Sequence, residues 1–288
     1  MRHLLSAHIV TVDGRQLEVS HDSNPDLFWA IRGGGGNFGI ATAFEYRLHP
    51  IGEVLSGTLT YSTQHLPELL HVFGKFALEA PDEMNLFGEI LPSTDGPRFL
   101  IHVFYGDDPR RGNQLLAPLR TPIKPLEENL RSVPYFESQA AGFVPVPFAH
   151  FQTNVIIPDF NGGASEAIAA AIHAAPPQFR VLIVVLSGAI TRVPLTDMAF
   201  PLRHPGFEID MLGTWTTPAD KPADVQWVKA LRDKLQPLAL GAYGNQLGET
   251  SDQLAMAAYG PNYARLRDIK KKYDPTNVLR INQNIKPT

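Results

Sequence analysis

One seven-residue stretch constrains this chain more than any other: Gly33-Gly34-Gly35-Gly36-Asn37-Phe38-Gly39. Most of these residues have no Cβ, so the backbone can take positive φ and approach another group closely, with its N–H donors open to anionic or carbonyl oxygens. A bare glycine run is also what an ordinary turn looks like, and its surroundings have to decide. Upstream, Pro25 and the cluster Leu27, Phe28, Trp29 and Ile31 predict a short helix, with Ser23 or Asn24 as its cap. Downstream, residues 40–48 alternate as a strand does, with Phe44, Tyr46 and Leu48 on one face and Ala43, Glu45 and Arg47 on the other. Helix, glycines, strand is the reverse of the strand-to-helix setting of a dinucleotide G-x-G-x-x-G turn. No Gly-Lys-Ser/Thr makes the stretch a Walker loop either.

The remaining pattern reads as α+β. Residues 4–12 and 16–19 form a strand pair around the turn Asp13-Gly14, and residues 54–61 continue in strand pattern. Leu66, Leu69, Leu70, Phe73, Phe76 and Ala77 recur at helical spacing. Residues 84–91 and 98–105 are strands separated by Ser93-Thr94-Asp95-Gly96-Pro97, and the proline-rich stretch 115–147 mixes short helices with extended connections. Helices over 164–174 and 219–235 alternate with strands over 181–186 and 207–215. Tyr263, Leu266, Ile269 and Lys270 continue a last helix whose outer face carries Arg265, Arg267, Asp268, Lys271 and Lys272, a charge run that reads as solvated surface. Tyr273-Asp274-Pro275 stops it, since a residue before proline disfavours the α region, and residues 278–285 run on as an extended tail. Elements in this order predict a largely antiparallel sheet covered by helices on one side.

Composition excludes several classes of function. The 288 residues contain no cysteine, which removes disulfides, thiolate metal sites and cysteine nucleophiles. A formal net charge of −4 removes the electrostatic basis for general nucleic-acid binding. No apolar run approaches the roughly 20 residues of a membrane-spanning helix, and the first residues do not read as a signal peptide, leaving the cytoplasm as the default compartment. The ten histidines are scattered without H-E-x-x-H spacing or a compact carboxylate partner, so no metal site is expected. Gly-x-Ser-x-Gly is absent around Ser187. A core is expected, because 44% of residues are hydrophobic and sixteen are Phe. The 25 prolines and 23 glycines mark a turn-rich chain.

Two long motifs carry a resemblance. Residues 26–42, Asp-Leu-Phe-Trp-Ala-Ile-Arg-Gly-Gly-Gly-Gly-Asn-Phe-Gly-Ile-Ala-Thr, resemble the signature near the end of the flavin-binding domain in the vanillyl-alcohol-oxidase superfamily, in its berberine-bridge-enzyme-like branch of FAD-linked oxidases. Residues 259–285, from Tyr-Gly-Pro-Asn-Tyr to Asn-Gln-Asn-Ile, are similar to that branch's C-terminal motif. Shorter stretches at 199–203 and 242–245 also match, so the resemblance spans nearly the whole chain. It implies that Asn37, Gly39, Ile40 and Ala41 pass beside FAD, with backbone contacts. It also brings the tail back to the flavin, which makes Asn282 and Gln283 candidates near the ring system, polar pairing within a strand being the alternative. Tyr243 matches the tyrosine of the family's Tyr-x-Asn segment, where a phenol would orient or deprotonate a substrate hydroxyl as hydride leaves. Gln246 stands where the family usually has an aromatic, which alters the pocket's shape.

The resemblance starts late in the family pattern. It implies the C-terminal part of an FAD-binding domain over residues 1–61, a substrate-binding domain over 62–240, and a segment over 241–288 returning to the flavin domain. The N-terminal cradle for the cofactor's pyrophosphate lies outside the match. FAD is then expected to bind weakly or not at all, and surface that would pack on that cradle is expected to recruit a partner chain or a second copy. The expected activity is oxidation of an alcohol, sugar or phenolic small molecule. A non-catalytic binding module and one half of a split flavoenzyme are the alternatives.

Overall fold

The computed structural model describes residues 3–140, 149–249, 251–281 and 283–287. Its first half runs β1 (Leu4–Val10), β2 (Gln16–Ser20), α1 (Pro25–Ile31), β3 (Ile40–Tyr46), β4 (Glu53–Ser62), α2 (Leu66–Glu79), β5 (Met84–Leu91), β6 (Arg98–Tyr105), α3 (Pro109–Leu115), α4 (Ala117–Arg120), β7 (Glu127–Pro134) and α5 (Tyr135–Ala140). The second half adds β8 (Ala149–Ile157), α6 (Ala164–His173), β9 (Phe179–Leu186), β10 (Gly206–Trp215), α7 (Lys221–Leu235), α8 (Asp252–Tyr259) and α9 (Tyr263–Tyr273). These elements form two compact units. One comprises Met1–Pro50, Arg192–Arg203 and Gly241–Thr288, the other Ile51–Thr191 and His204–Leu240. The division at residue 50, not 61, follows from β4, which hydrogen-bonds to β6 and β7 in the second unit's sheet.

In the first unit β1, β2 and β3 form an antiparallel sheet ordered β2-β1-β3. Thr11 N–H to Arg15 carbonyl (3.0 Å) and Gly14 N–H to Thr11 carbonyl (2.9 Å) close the β1–β2 turn. Asn24 stands at the N-cap of α1 in the left-handed region (φ 48°), but its side chain donates to the Glu18 carbonyl (2.9 Å) instead of capping the helix. Leu27, Phe28, Trp29 and Ala30 of α1 pack with Ala7, Ile9 and Val19 of the sheet and with Leu266, Ile269 and Tyr273 of α9. Each large apolar side chain buried here contributes about 1.5–3 kcal/mol. The outer strand β3 is different, because all seven of its residues are exposed. Phe44 pairs with the buried Ala7 and is still 53% exposed, so nothing in this unit covers that edge.

The charge run on α9 is not simply solvated. Arg265 lies 4.0 Å over the Trp29 ring, and Lys272 donates to Asp26 at 2.7 Å. Lys270 is fully buried, since its place on the helix turns it inward with Leu266 and Ile269.

The second unit is built on a seven-stranded antiparallel sheet ordered β7-β4-β6-β5-β9-β10-β8. Directly paired residues share a face, so the register fixes two sides. One side carries Leu59, Tyr61, Ile90, Phe99, Ile101, Val181, Ile183, Phe207, Ile209 and Met211, and clusters with Leu66, Leu69, Leu70 and Phe73 of α2, Ile168 of α6, and Val228 and Leu231 of α7. The i, i+3, i+4, i+7 spacing of the α2 leucines and Phe73 is what lets one helix face serve this core. The other side is polar: Thr58, Glu89, His102, Arg180, Asp210 and Asn154 alternate with the core residues along their strands. The antiparallel sheet with helices on one face agrees with the fold class expected above.

Candidate functional site

In the first unit the glycine stretch is held at close quarters. Gly33 has φ +143°, and a Cβ there would fall 2.1 Å from the Phe200 backbone nitrogen, so the loop can follow this path only without a side chain. Residues 35–37 then make one 3₁₀ turn that delivers Asn37 into the interior, 1% exposed. Its Nδ2 donates to the carbonyls of Gly34 (2.9 Å) and Gln283 (3.1 Å), and its Oδ1 accepts from the Ile285 N–H (3.1 Å). Tyr259 adds a bond from its hydroxyl to the Gln283 carbonyl (3.0 Å), and burial pushes that phenol up to about 12. Loop and tail are therefore one hydrogen-bonded assembly. The Asn37 side-chain donors and acceptor are engaged inside the protein, which makes it the clasp of the site.

Lys270 reinforces that clasp. Its Nζ donates to the Asn37 carbonyl (2.9 Å), the Leu279 carbonyl (2.7 Å) and Asp274 Oδ2 (2.6 Å). Asp274 in turn accepts the N–H groups of Val278 and Leu279, both at 2.8 Å. Burial alone would raise the Asp274 carboxyl, but Lys270 and the two N–H donors outweigh it and hold it below its ordinary value. A buried pair earns its place only when its other hydrogen-bonding positions are filled, and here they are.

Beside the loop lies a cavity of about 210 Å³ lined by Gly33, Gly35, Phe200, Tyr243, Gly244 and Tyr259, among others. Asn245 Nδ2 donates to the Tyr243 hydroxyl (2.8 Å), and the Phe200 ring stands edge-on to Tyr243 with centroids 6.3 Å apart. Gly39, Ile40 and Ala41 do not line this cavity, and the exposed Ile40 and Ala41 belong to β3. Asn282 lies outside the described residues. Gln283 is 5% exposed and donates to the Glu249 carbonyl (2.9 Å), while its Oε1 and the Oδ1 of Asn284 are buried acceptors without a hydrogen-bond partner.

The second unit contributes a feature the motif reading did not single out. Glu208 and Asp210 stand two apart on β10, on the sheet's polar side, and are 4% and 1% exposed. Glu208 Oε1 and Asp210 Oδ1 have no hydrogen-bond partner. Burial, with the neighbouring Asp210 charge added, pushes Glu208 up to about 8, and burial pushes Asp210 up to about 7 against a 3.4 Å bond from Gln152. The signal was in the sequence: in Phe207-Glu208-Ile209-Asp210-Met211, period-2 alternation puts both carboxylates on one face. Among the described residues no group of three His, Cys, Asp or Glu could hold a metal ion, and no helix is long and apolar enough to cross a membrane.

Comparison with known proteins finds similarities to both motifs' surroundings. Residues 242–286, the segment carrying Tyr243, α9 and the tail, match the family described as "Berberine and berberine like". An FAD-linked oxidoreductase of Dictyostelium discoideum is 28% identical over 99% of the chain and 63% of its own length. The chain is similar to FAD-linked oxidoreductases over nearly its whole length, and to the berberine-like family over residues 242–286. Among solved structures, Physcomitrella patens BBE-like 1 matches with a TM-score of 0.89 at 18% identity, over the whole chain and 66% of its own. The xylooligosaccharide oxidase of Myceliophthora thermophila C1 matches with a TM-score of 0.85 at 21% identity, over the whole chain and 67% of its own. At these identities the structural likeness establishes the fold. The chain spans 63–66% of the length of the first curated relatives it matches.

The matched relatives are FAD-linked, and residues of the first unit fit one end of that cofactor. Two buried acceptors in the tail lack donors, and glycines line the cavity, both suited to a flat ring system bearing N–H groups. At about 210 Å³ the cavity is smaller than the roughly 300–1,000 Å³ of a drug-sized ligand's site, so it suits a ring and not a whole dinucleotide.

Proposed function

We propose that the chain is the flavin-facing and substrate-facing portion of an FAD-linked oxidoreductase that oxidises an alcohol, sugar or phenolic small molecule. The observation that carries this reading is the Asn37 clasp, which gathers the glycine loop and the tail into one assembly in the unit that also holds the Tyr243 cavity. Bound FAD would supply the hydride acceptor. Gly33, Gly35 and Gln283 would hold its ring end, and Gly39, Ile40 and Ala41 would add backbone contacts. Oxidising an alcohol to a carbonyl releases a hydride from carbon and a proton from oxygen, and the chain must take up the proton. Tyr243, with its phenol oxygen anchored by Asn245, orients the substrate hydroxyl and relays its proton to solvent water, giving up its own as it takes the substrate's.

Weak FAD binding by the chain alone is part of the proposal. The cavity takes only part of the cofactor, so its remaining contacts come from polypeptide that the longer relatives carry beyond the matched share. The uncovered strand β3, with Ile40, Phe44 and Tyr46 each more than half exposed, suits such a surface. The test is titration with FAD, followed by flavin fluorescence and visible absorption, with and without a co-expressed polypeptide corresponding to the relatives' remaining third. Weak retention alone and firm retention in its presence are expected, followed by substrate-dependent bleaching that Tyr243→Phe slows by 10²-fold or more. Absence of flavin binding in both preparations refutes the proposal. Tight ligand binding without flavin reduction would leave the binding-module reading in its place.

A further inference from the structure

We propose that Asn161, in the connection from β8 to α6, is a site of spontaneous deamidation closed by the Gly162 amide, and that its isoaspartyl product frees the first turn of α6 from the second unit's core. The inference is independent of the proposed oxidoreductase. Asn161-Gly162 is the only Asn-Gly pair in the sequence, and every other asparagine is followed by a residue carrying a side chain. Glycine has no Cβ to shield its nitrogen and reaches backbone conformations closed to other residues. Asn161, Gly162 and Gly163 are all exposed, and the two glycines stand in the left-handed region at φ +62° and +88°. Among the described residues neither the Asn161 side chain nor the Gly162 N–H makes a hydrogen bond, so both reacting groups are uncommitted. Elsewhere Asn37, Asn154 and Asn262 are buried, and Asn113 Oδ1 accepts from Arg120 at 2.7 Å.

The Gly162 nitrogen loses its proton to hydroxide and attacks the Asn161 amide carbon. A nitrogen–carbon bond forms to close a five-membered imide, the bond to the side-chain nitrogen breaks, and ammonia leaves. Water then opens the imide at either carbonyl. Attack at the side-chain carbonyl restores the ordinary main chain with Asp at 161. Attack at the main-chain carbonyl leaves the chain running through the side chain, as isoaspartate. In sum one water is consumed and one ammonia released, with nothing oxidised or reduced. The isoaspartyl main chain is longer by one carbon, about 1.5 Å, and the former Asn161 carbonyl has become a free carboxylate.

That carbonyl has a structural task. It accepts from the Ala164 N–H at 3.1 Å, beside the bond from the Ser165 N–H to the Phe160 carbonyl at 3.4 Å. These bonds seat the start of α6, where Gly163 at the N-cap has no side chain to accept from the orphan N–H groups. On the other side of Asn161 the chain has no slack. Phe160 is buried against Phe207, with ring centroids 4.6 Å apart, and so close to α2 that a Cβ on Gly74 would come within 2.6 Å of its ring. A close-packed core does not absorb an added carbon, so the displacement passes to the first turn of α6 and lifts the buried Ala164 and Ser165 towards solvent. The ordinary Asp product keeps the chain length and adds a negative charge near the positive end of α6, which a helix favours. The isoaspartyl form is the one that loosens the unit.

The experiment ages the whole chain at 37 °C and pH 8 beside Asn161→Gln, which would have to close a larger ring. Peptide mapping follows the mass, and electron-transfer fragmentation separates Asp from isoaspartate. The peptide bearing Asn161 should gain about 1 Da at least tenfold faster than those bearing Asn113 or Asn245, with both linkages present. The isoaspartyl form, separated by ion exchange, should be cut by a brief thermolysin pulse between residues 160 and 168 at least fivefold faster than the unaged chain. Asn161→Asp should be cut like the unaged chain. Three outcomes each overturn the inference: a mass gain at Asn161 no faster than at the other two, an isoaspartyl form cut no faster than the unaged chain, or aged Asn161→Gln cut as fast as the aged native chain. The isoaspartyl and unaged forms come from one preparation, so their comparison decides even if Asn161→Gln does not fold.

Discussion

Replacing Asp210 by asparagine should flatten the pH dependence of the second unit's stability. In the native protein Asp210 is raised from 3.8 to about 7 and Glu208 from 4.5 to about 8, so the folded state holds protons that the unfolded chain has released. For groups raised in the folded state, the stabilising contribution is complete below the unfolded value near 4 and is lost as pH rises through 7 to 8. At 1.36 kcal/mol per pH unit, Asp210 accounts for an upper bound of about 4 kcal/mol across that whole range and about 3 kcal/mol between pH 5 and 8. Asparagine keeps the shape, removes this ionisation, and relieves the like charge that helps raise Glu208. The new amide carries its own cost of about 1–3 kcal/mol wherever it lacks a partner, but that cost does not vary with pH, so slopes and not absolute values are compared. The assay is urea denaturation at half-unit intervals from pH 5 to 8, read by the fluorescence of Trp215 and Trp227 in a Trp29→Phe background, which restricts the signal to the second unit. The native chain should lose several kcal/mol over this range and Asp210→Asn about 3 kcal/mol less. Parallel stability curves for the two would refute the reasoning, because a buried carboxylate with one oxygen unpartnered cannot lose its charge without changing the slope.

Lys270→Met should destabilise the first unit by about 3–5 kcal/mol, since it leaves Asp274 buried without its cation, and Lys270→Met/Asp274→Asn should recover part of that loss in urea denaturation followed at Trp29. Gly33→Ala should lower the melting temperature far more than Gly14→Ala, because the new Cβ would meet backbone at 2.1 Å in one case and open space in the other. Phe44→Ser/Tyr46→Ser, removing two rings from the uncovered β3 edge, should shift the chain towards monomer in sedimentation velocity, and an unchanged distribution would remove β3 as a self-association surface.

The two family motifs were legible because their residues are contiguous. Helix, glycines and strand appear in order from Pro25 to Tyr46, and the proline after Asp274 marks the end of α9. Their meaning was less legible. The Asn37 side chain has its partners Gln283 and Ile285 more than 240 positions away, and no local pattern reports that its polar atoms are used there. Residues 54–61 read as part of the flavin unit for a similar reason, since a strand's sequence does not name the sheet it joins.

By itself the sequence determined what short range can determine. It set the period-2 and 3.6-residue patterns, the places where only glycine fits, the α+β class, and two motifs specific enough to name a family. Only the tertiary structure decided which charges are spent and which are stranded. Nothing in the sequence beside Lys270 or Glu89 reports a partner, yet folding brings each its opposite charge and buries it. Glu208 and Asp210 read no differently, yet folding buries them with oxygens left unpartnered. The difference is desolvation: a charge's energy depends on which atoms replace its water, and those atoms come from other strands, helices and loops, not from neighbours in the chain.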